Sequence, residues 1–155
     1  MSDRSALQLY VYAMPAEDRA AVQLGIDDNC LAPYDDSGNG IVLGMRYQTE
    51  EVPIGSAYDL AVHLLIKAPG TAFELWQDPV FQHAGHYVAH LPGIGTYDGV
   101  CDSYGSPLVK VTEVLDTLAL VQDSASPLPA SHIAHHAPFF TALRRAQAAR
   151  WPPSP

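Results

Sequence analysis

The sequence predicts an α/β domain built on a single mixed β-sheet with helices packed on it; an α+β arrangement is the nearest alternative. Three observations carry this. Runs that alternate between apolar and polar residues, rich in β-branched and aromatic side chains, recur as far as Asp102. Stretches whose apolar residues return at helical spacing separate the first of these runs. The 13 prolines and 11 glycines fall mostly between the runs, where they act as punctuation.

The elements follow in order. Leu7 to Ala13 alternates and reads as the first strand. Pro15 suits a first helical position, Glu17 and Asp18 suit a first turn, and Ala21, Val22 and Ile26 give an apolar stripe, so 15–26 reads as a helix. Gly25 leaves the end of that helix poorly defined. Residues 27–40 form a polar loop that closes on the turn signal Asn39-Gly40. Residues 41–48 read as the second strand and 50–53 as a connector. Ser56 and Asp59 have capping-box spacing and open a helix that runs to about Ala68, where Pro69-Gly70 stops it.

Residues 71–77 alternate as a third strand, broken by Asp78-Pro79. A fourth strand is expected at 86–90, followed by the turn Pro92-Gly93, and a short fifth at 97–102. Leu108 to Val111 reads as a further strand or as the approach to a helix at 112–121, with Val114, Leu115, Leu118 and Val121 facing inward. The early β-α-β-α-β order suggests parallel crossovers, and the later short strands suggest antiparallel hairpins. The organisation expected is an acidic α/β domain over 1–123, a Ser/Pro/Ala/His-rich linker over 124–137, a basic amphipathic helix over 138–151 begun by Pro138, and a disordered tail over 152–155.

With 155 residues the chain suits one domain, able to bury roughly two-thirds of its unfolded surface. Its charge is uneven. Residues 1–136 carry all 17 acids against five bases, a balance of −12; residues 137–155 carry three arginines and no acid, and together these give the net −9. A body without basic stripes argues against direct nucleic-acid binding, which relies on Lys and Arg at phosphates. No basic-then-apolar leader opens the sequence, and the longest apolar run, Leu60 to Ile66, is interrupted by His63. No membrane association and a cytoplasmic location are therefore expected.

Candidate chemistry is sparse. On a strand His86 and His90 share one face, and at helical spacing His83 joins them. With Asp102 they form the candidate ligand set for zinc or another transition metal, with Cys101 and the second group, His132, His135 and His136, as further donors. No established metal-ligand spacing accompanies them. His63 reads as part of the polar stripe of its helix, paired with Asp59. The loop from Asp35 to Gly40 imitates the start of a calcium loop, but Arg46 stands where that loop needs a bidentate Glu. Cys30 and Cys101 read as two small, partly buried apolar residues. Gly93-Ile94-Gly95 lacks a third glycine, and no P-loop or nucleophile elbow is present.

The leading expectation is a non-enzymatic binding or regulatory module that contacts a protein partner, basic or itself nucleic-acid-binding, through an acidic surface. Its partner-binding candidates are Asp27, Asp28, Asp35, Asp36, Glu50 and Glu51, with Phe139, Phe140, Arg144 and Arg145 on the terminal helix. The alternatives are a small metal-binding protein or metal-dependent enzyme using the histidines, and a subunit of a homo-oligomer. The last is suggested by the wide apolar circumference of the helix at 56–68.

Overall fold

A computed structural model describes residues 3–35, 40–122 and 132–150. One sheet dominates it, with strands β1 (Arg4–Ala13), β2 (Ala32–Pro33), β3 (Arg46–Pro53), β4 (Ala72–Gln77), β5 (Gly85–Leu91), β6 (Gly95–Cys101) and β7 (Pro107–Leu108) in the spatial order β2-β3-β1-β4-β5-β6-β7. The helices are α1 (Arg19–Asp28, entered through a single 3-10 turn at Ala16–Asp18), α2 (Ser56–Lys67), α3 (Val111–Gln122) and α4 (His132–Arg150). The α/β class, the packed helices and the C-terminal helix are as the sequence predicts.

The parallel crossovers are not. Every ladder among the described residues is antiparallel. The early alternation nonetheless had a physical basis. β2 and β1 are both antiparallel to β3, so α1 joins two strands running the same way with a third inserted between them. β3 and β4 are both antiparallel to β1, so α2 does the same. These are split β-α-β units in the ferredoxin-like connectivity, and hydrophobic periodicity cannot reveal the inserted strand. β5, β6 and β7 then extend the sheet as a meander.

β1, an interior strand between β3 and β4, shows why there are two cores. Leu7, Leu9 and Val11 point to one face, where they pack with Phe73, Leu75, Val22, Ile26, Leu60 and Leu64 beneath α1 and α2. Tyr12 points to the other, where Trp76, Tyr87, Ala89, Tyr97 and Cys101 meet Phe139 and Leu143 of α4. The wide apolar circumference of α2 is thus covered by the sheet on one side and α1 on the other, while Tyr58 and Ile66 remain exposed. Gly25 is where the two helices touch: a Cβ there would lie 2.9 Å from Leu60 and 3.2 Å from His63.

Two boundaries and one inward-facing residue differ from the sequence reading. The strand expected at 41–48 starts at Arg46 and absorbs the supposed connector at 50–53. Between the pairs Ser5↔Val52 and Leu7↔Thr49, β3 advances three residues while β1 advances two. The resulting bulge at Glu50-Glu51 breaks the alternation that would have marked the strand. α4 begins at His132, inside the expected linker, so Pro138 is interior to the helix and not its first residue. An interior proline forfeits a backbone hydrogen bond at roughly 3 kcal/mol, which is why the sequence favours a start there. Burial of Phe139 and Leu143 immediately afterward offsets that cost. Lastly, Leu115 does not face inward but is 57% exposed on α3, whose main packing is against α4; the side chains of Leu118 and Val121, the linker residues 123–131 and the tail lie outside the described residues.

Two connections are held by unforeseen chemistry. The amide of Gln77, on β4 and 2% exposed, caps α2: its Oε1 accepts from the N–H of Gly55 (3.2 Å) and Ala57 (3.4 Å), and its Nε2 donates to the carbonyls of Val52 (3.3 Å) and Pro53 (2.8 Å). Ser56 does not form the expected capping box; its hydroxyl donates back to Pro53. α1 ends in a Schellman motif, with Leu31 N–H on Ile26 and Cys30 N–H on Asp27. The position that usually holds glycine is Cys30, at φ 52°.

Candidate functional site

The four predicted metal ligands are not brought together. His83 lies in the turn before β5, with Nε2 3.3 Å from Asp3. His86 and His90 do share a face of β5, the one toward α2, but each ring is committed. His86 Nε2 pairs with Asp98 at 2.7 Å and the ring stacks on Tyr58. His90 Nε2 donates to the Pro69 carbonyl at 3.1 Å, which leaves Nδ1 to accept from the Thr96 hydroxyl at 2.7 Å. Asp102 follows β6 and spends Oδ1 on the N–H groups of Tyr104 and Ser106, holding that loop as an Asx turn. Among the described residues no three His, Cys, Asp or Glu side chains stand close enough to hold a metal. The side chains of His132, His135 and His136 lie outside those described.

The remaining singled-out residues sort by burial. His63 donates to the Ala21 carbonyl at 2.8 Å and so ties α2 to α1. Cys30 is exposed, against expectation, and Cys101 is buried. Burial, followed by Asp102 and Asp78, pushes the Cys101 thiol up to about 12, so it stays protonated at neutral pH and is no nucleophile. Phe139 is 5% exposed and packs with Phe140 against Tyr97 within this chain. Arg144 and Arg145 are exposed on α4.

Of the acidic candidates, Asp27, Asp28, Asp35, Glu50 and Glu51 are all exposed, and Asp36 lies outside the described residues. Topology gathers the five around one sheet edge. Asp27 and Asp28 end α1 just before β2, Asp35 follows β2, and Glu50 and Glu51 occupy the bulge of β3 beyond the pair Ala32↔Gln48. That edge is thinly covered: β2 pairs with β3 only at Tyr47 and Gln48.

A second constellation lies on the face covered by α4, and sequence reasoning missed it. Glu74 on β4 is 7% exposed. Its carboxylate accepts from the Tyr87 hydroxyl at 2.8 Å, the Gln147 amide at 2.9 Å and the Tyr12 hydroxyl at 3.3 Å. Burial pushes the Glu74 carboxyl above the ordinary carboxylate range, and the three donors act against that rise. Burial also drives the Tyr12 and Tyr87 hydroxyls far above their usual range, with the Glu74 charge adding to it, so both remain donors. The carboxylate borders a cavity of about 460 Å³ between the sheet, α4 and the 104–107 loop, and Arg144 lines the same cavity. Gly105 closes the loop onto Trp76: a Cβ there would fall 2.4 Å from the indole. The signal available in the sequence was parity. Tyr10, Tyr12, Glu74 and Trp76 all stand at positions the alternation assigns away from the aliphatic core.

Comparison with protein-family models, with curated proteins and with solved structures gives no match. No described helix is long and apolar enough to cross a membrane.

Proposed function

We propose that the protein is a non-enzymatic binding module that accepts an extended, basic segment of a partner protein along the outer edge of β3. The observation supporting this is the coincidence of an open strand edge with concentrated negative charge. Beyond Gln48, the outer side of β3 has no strand partner among the described residues, while β3 continues to Pro53. Strand addition supplies affinity through main-chain hydrogen bonds, and the flanking side chains choose the partner. Here Glu50, Glu51, Asp27 and Asp28 flank the edge, which favours lysine- or arginine-bearing segments and speeds their encounter. The same charge opposes edge-to-edge pairing of two copies, so it favours a different chain as occupant. The far edge of the sheet is also open, since β7 covers β6 only at Val100 and Cys101, but of the acids on or beside β6 Asp98 is paired with His86 and Asp102 holds its own loop.

The test is a titration with a short peptide alternating lysine and valine, against wild type and the double variant Glu50→Lys/Glu51→Lys. Wild type binds, more weakly as salt rises, and the double variant loses binding. Equal affinity for both proteins, or no binding to wild type at low salt, refutes the reading.

A further inference from the structure

The cavity beneath α4 is independent of the β3 edge and has different chemistry. Its inner end carries an acid without a cation: the three groups bonded to the Glu74 carboxylate (Tyr12, Tyr87 and Gln147) are all neutral donors. Oε2 takes two of those bonds, and Oε1 takes only the 3.3 Å contact from Tyr12, which leaves Oε1 with acceptor capacity to spare. Its outer part carries the reverse, a cation without an acid. Arg144 is exposed, and no described carboxylate pairs with it. Between them Trp76, Phe140 and Leu143 stand beside Tyr104, Ser106 and Gln147, so the lining is mixed and the surface it presents is more polar than apolar. At about 460 Å³ the space falls within the range of roughly 300–1,000 Å³ that small-molecule sites occupy.

The geometry points to a binding site for a small zwitterion, an amino acid with an aromatic or branched apolar side chain, whose ammonium group meets Glu74 and whose carboxylate meets Arg144. A simple ammonium compound would satisfy the acid but leave the guanidinium facing it, and a simple carboxylate would do the opposite. A molecule carrying both charges on one carbon, with its side chain projecting away from them, complements both groups at once. The buried carboxylate, whose charged form burial disfavours, gains most from an incoming ammonium group. Arg144 offers the planar fork suited to a carboxylate. Gly105 fixes the indole of Trp76 as one wall, so occupancy is reported by that ring.

The chain has two tryptophans, so a full-length Trp151→Phe protein leaves Trp76 as the sole indole. Its fluorescence is titrated with phenylalanine, phenethylamine and 3-phenylpropionate. Phenylalanine gives a saturable change, and each half-molecule binds roughly tenfold more weakly or worse. Glu74→Gln, nearly isosteric, weakens phenylalanine and phenethylamine by a similar factor while the circular-dichroism melt stays cooperative. Arg144→Ala, on the surface, weakens phenylalanine and 3-phenylpropionate but leaves phenethylamine unchanged. No saturable response to phenylalanine overturns the assignment, as does unchanged affinity in either variant or a half-molecule that binds as well as phenylalanine.

Discussion

Replacing Gln77 with leucine tests whether a strand residue caps a helix across the fold. The side chain is 2% exposed and its amide makes four hydrogen bonds, two accepted from the first turn of α2 and two donated to the carbonyls that end β3. Leucine keeps the volume and removes all four. Only the bond to Pro53, at 2.8 Å, is short; the others run from 3.2 to 3.4 Å. A helix cap is worth about 1 kcal/mol, and each buried group left unpaired costs about 1–3 kcal/mol where water cannot replace the partner. Allowing for the long bonds and the partial access of Gly55, the expected loss is about 2–4 kcal/mol. Ser56→Ala removes only an exposed bond to Pro53 and is expected to cost under about 1 kcal/mol. The assay is urea denaturation followed by far-ultraviolet circular dichroism, with unchanged slopes so that midpoints compare directly. If Ser56→Ala cost more than Gln77→Leu, the long-range cap would be refuted and the local capping box reinstated.

Three further outcomes are expected. Cys30→Gly relieves a left-handed residue bearing a Cβ, a strain of about 1–2 kcal/mol partly offset by glycine's greater unfolded freedom, so the urea midpoint should rise by about 0.5–1 kcal/mol equivalent; a fall removes the Schellman assignment. Gly105→Ala must clear the indole at 2.4 Å and adopt φ 73°, so it should cost about 2 kcal/mol or more and shift Trp76 emission in the Trp151→Phe protein; a silent substitution contradicts the loop packing. Glu74 sits above its ordinary value of 4.5, so the native state holds this proton more tightly than the unfolded chain. Its contribution is therefore complete below that value and is lost as pH rises through the native value. Stability of Glu74→Gln should accordingly fall less than wild type between pH 4.5 and neutrality, and identical slopes would show that Glu74 is not desolvated.

The elements most legible in the sequence were those whose periodicity matched their burial. β1, α1 and α2 sit close to where the alternation and the helical stripes put them, because each has one clean apolar face, and β4, buried on both faces, is delimited by Pro69-Gly70 and Asp78-Pro79. Boundaries failed where a local feature broke the period. The bulge at Glu50-Glu51 hid half of β3, and Pro138 hid the first turns of α4. Pairing direction depends on contacts distant in sequence, so the insertion of β1 between β3 and β4 left no local trace. The shared face of His86 and His90 was legible from strand parity. What was not legible is that Asp98, Thr96 and Pro69 already occupy those rings. Glu74 was overlooked because a glutamate at the polar phase of a strand reads as solvated, and it becomes buried only when α4, far along the chain, lays Gln147 and Leu143 over it.

The most direct test of the β3 edge is amide hydrogen exchange with and without the lysine–valine peptide. Strand addition predicts slowed exchange for amides within Thr49–Val52, unchanged exchange within α2, and loss of the effect in Glu50→Lys/Glu51→Lys. Peptide binding that leaves Thr49–Val52 unprotected, or that protects residues elsewhere instead, contradicts the account.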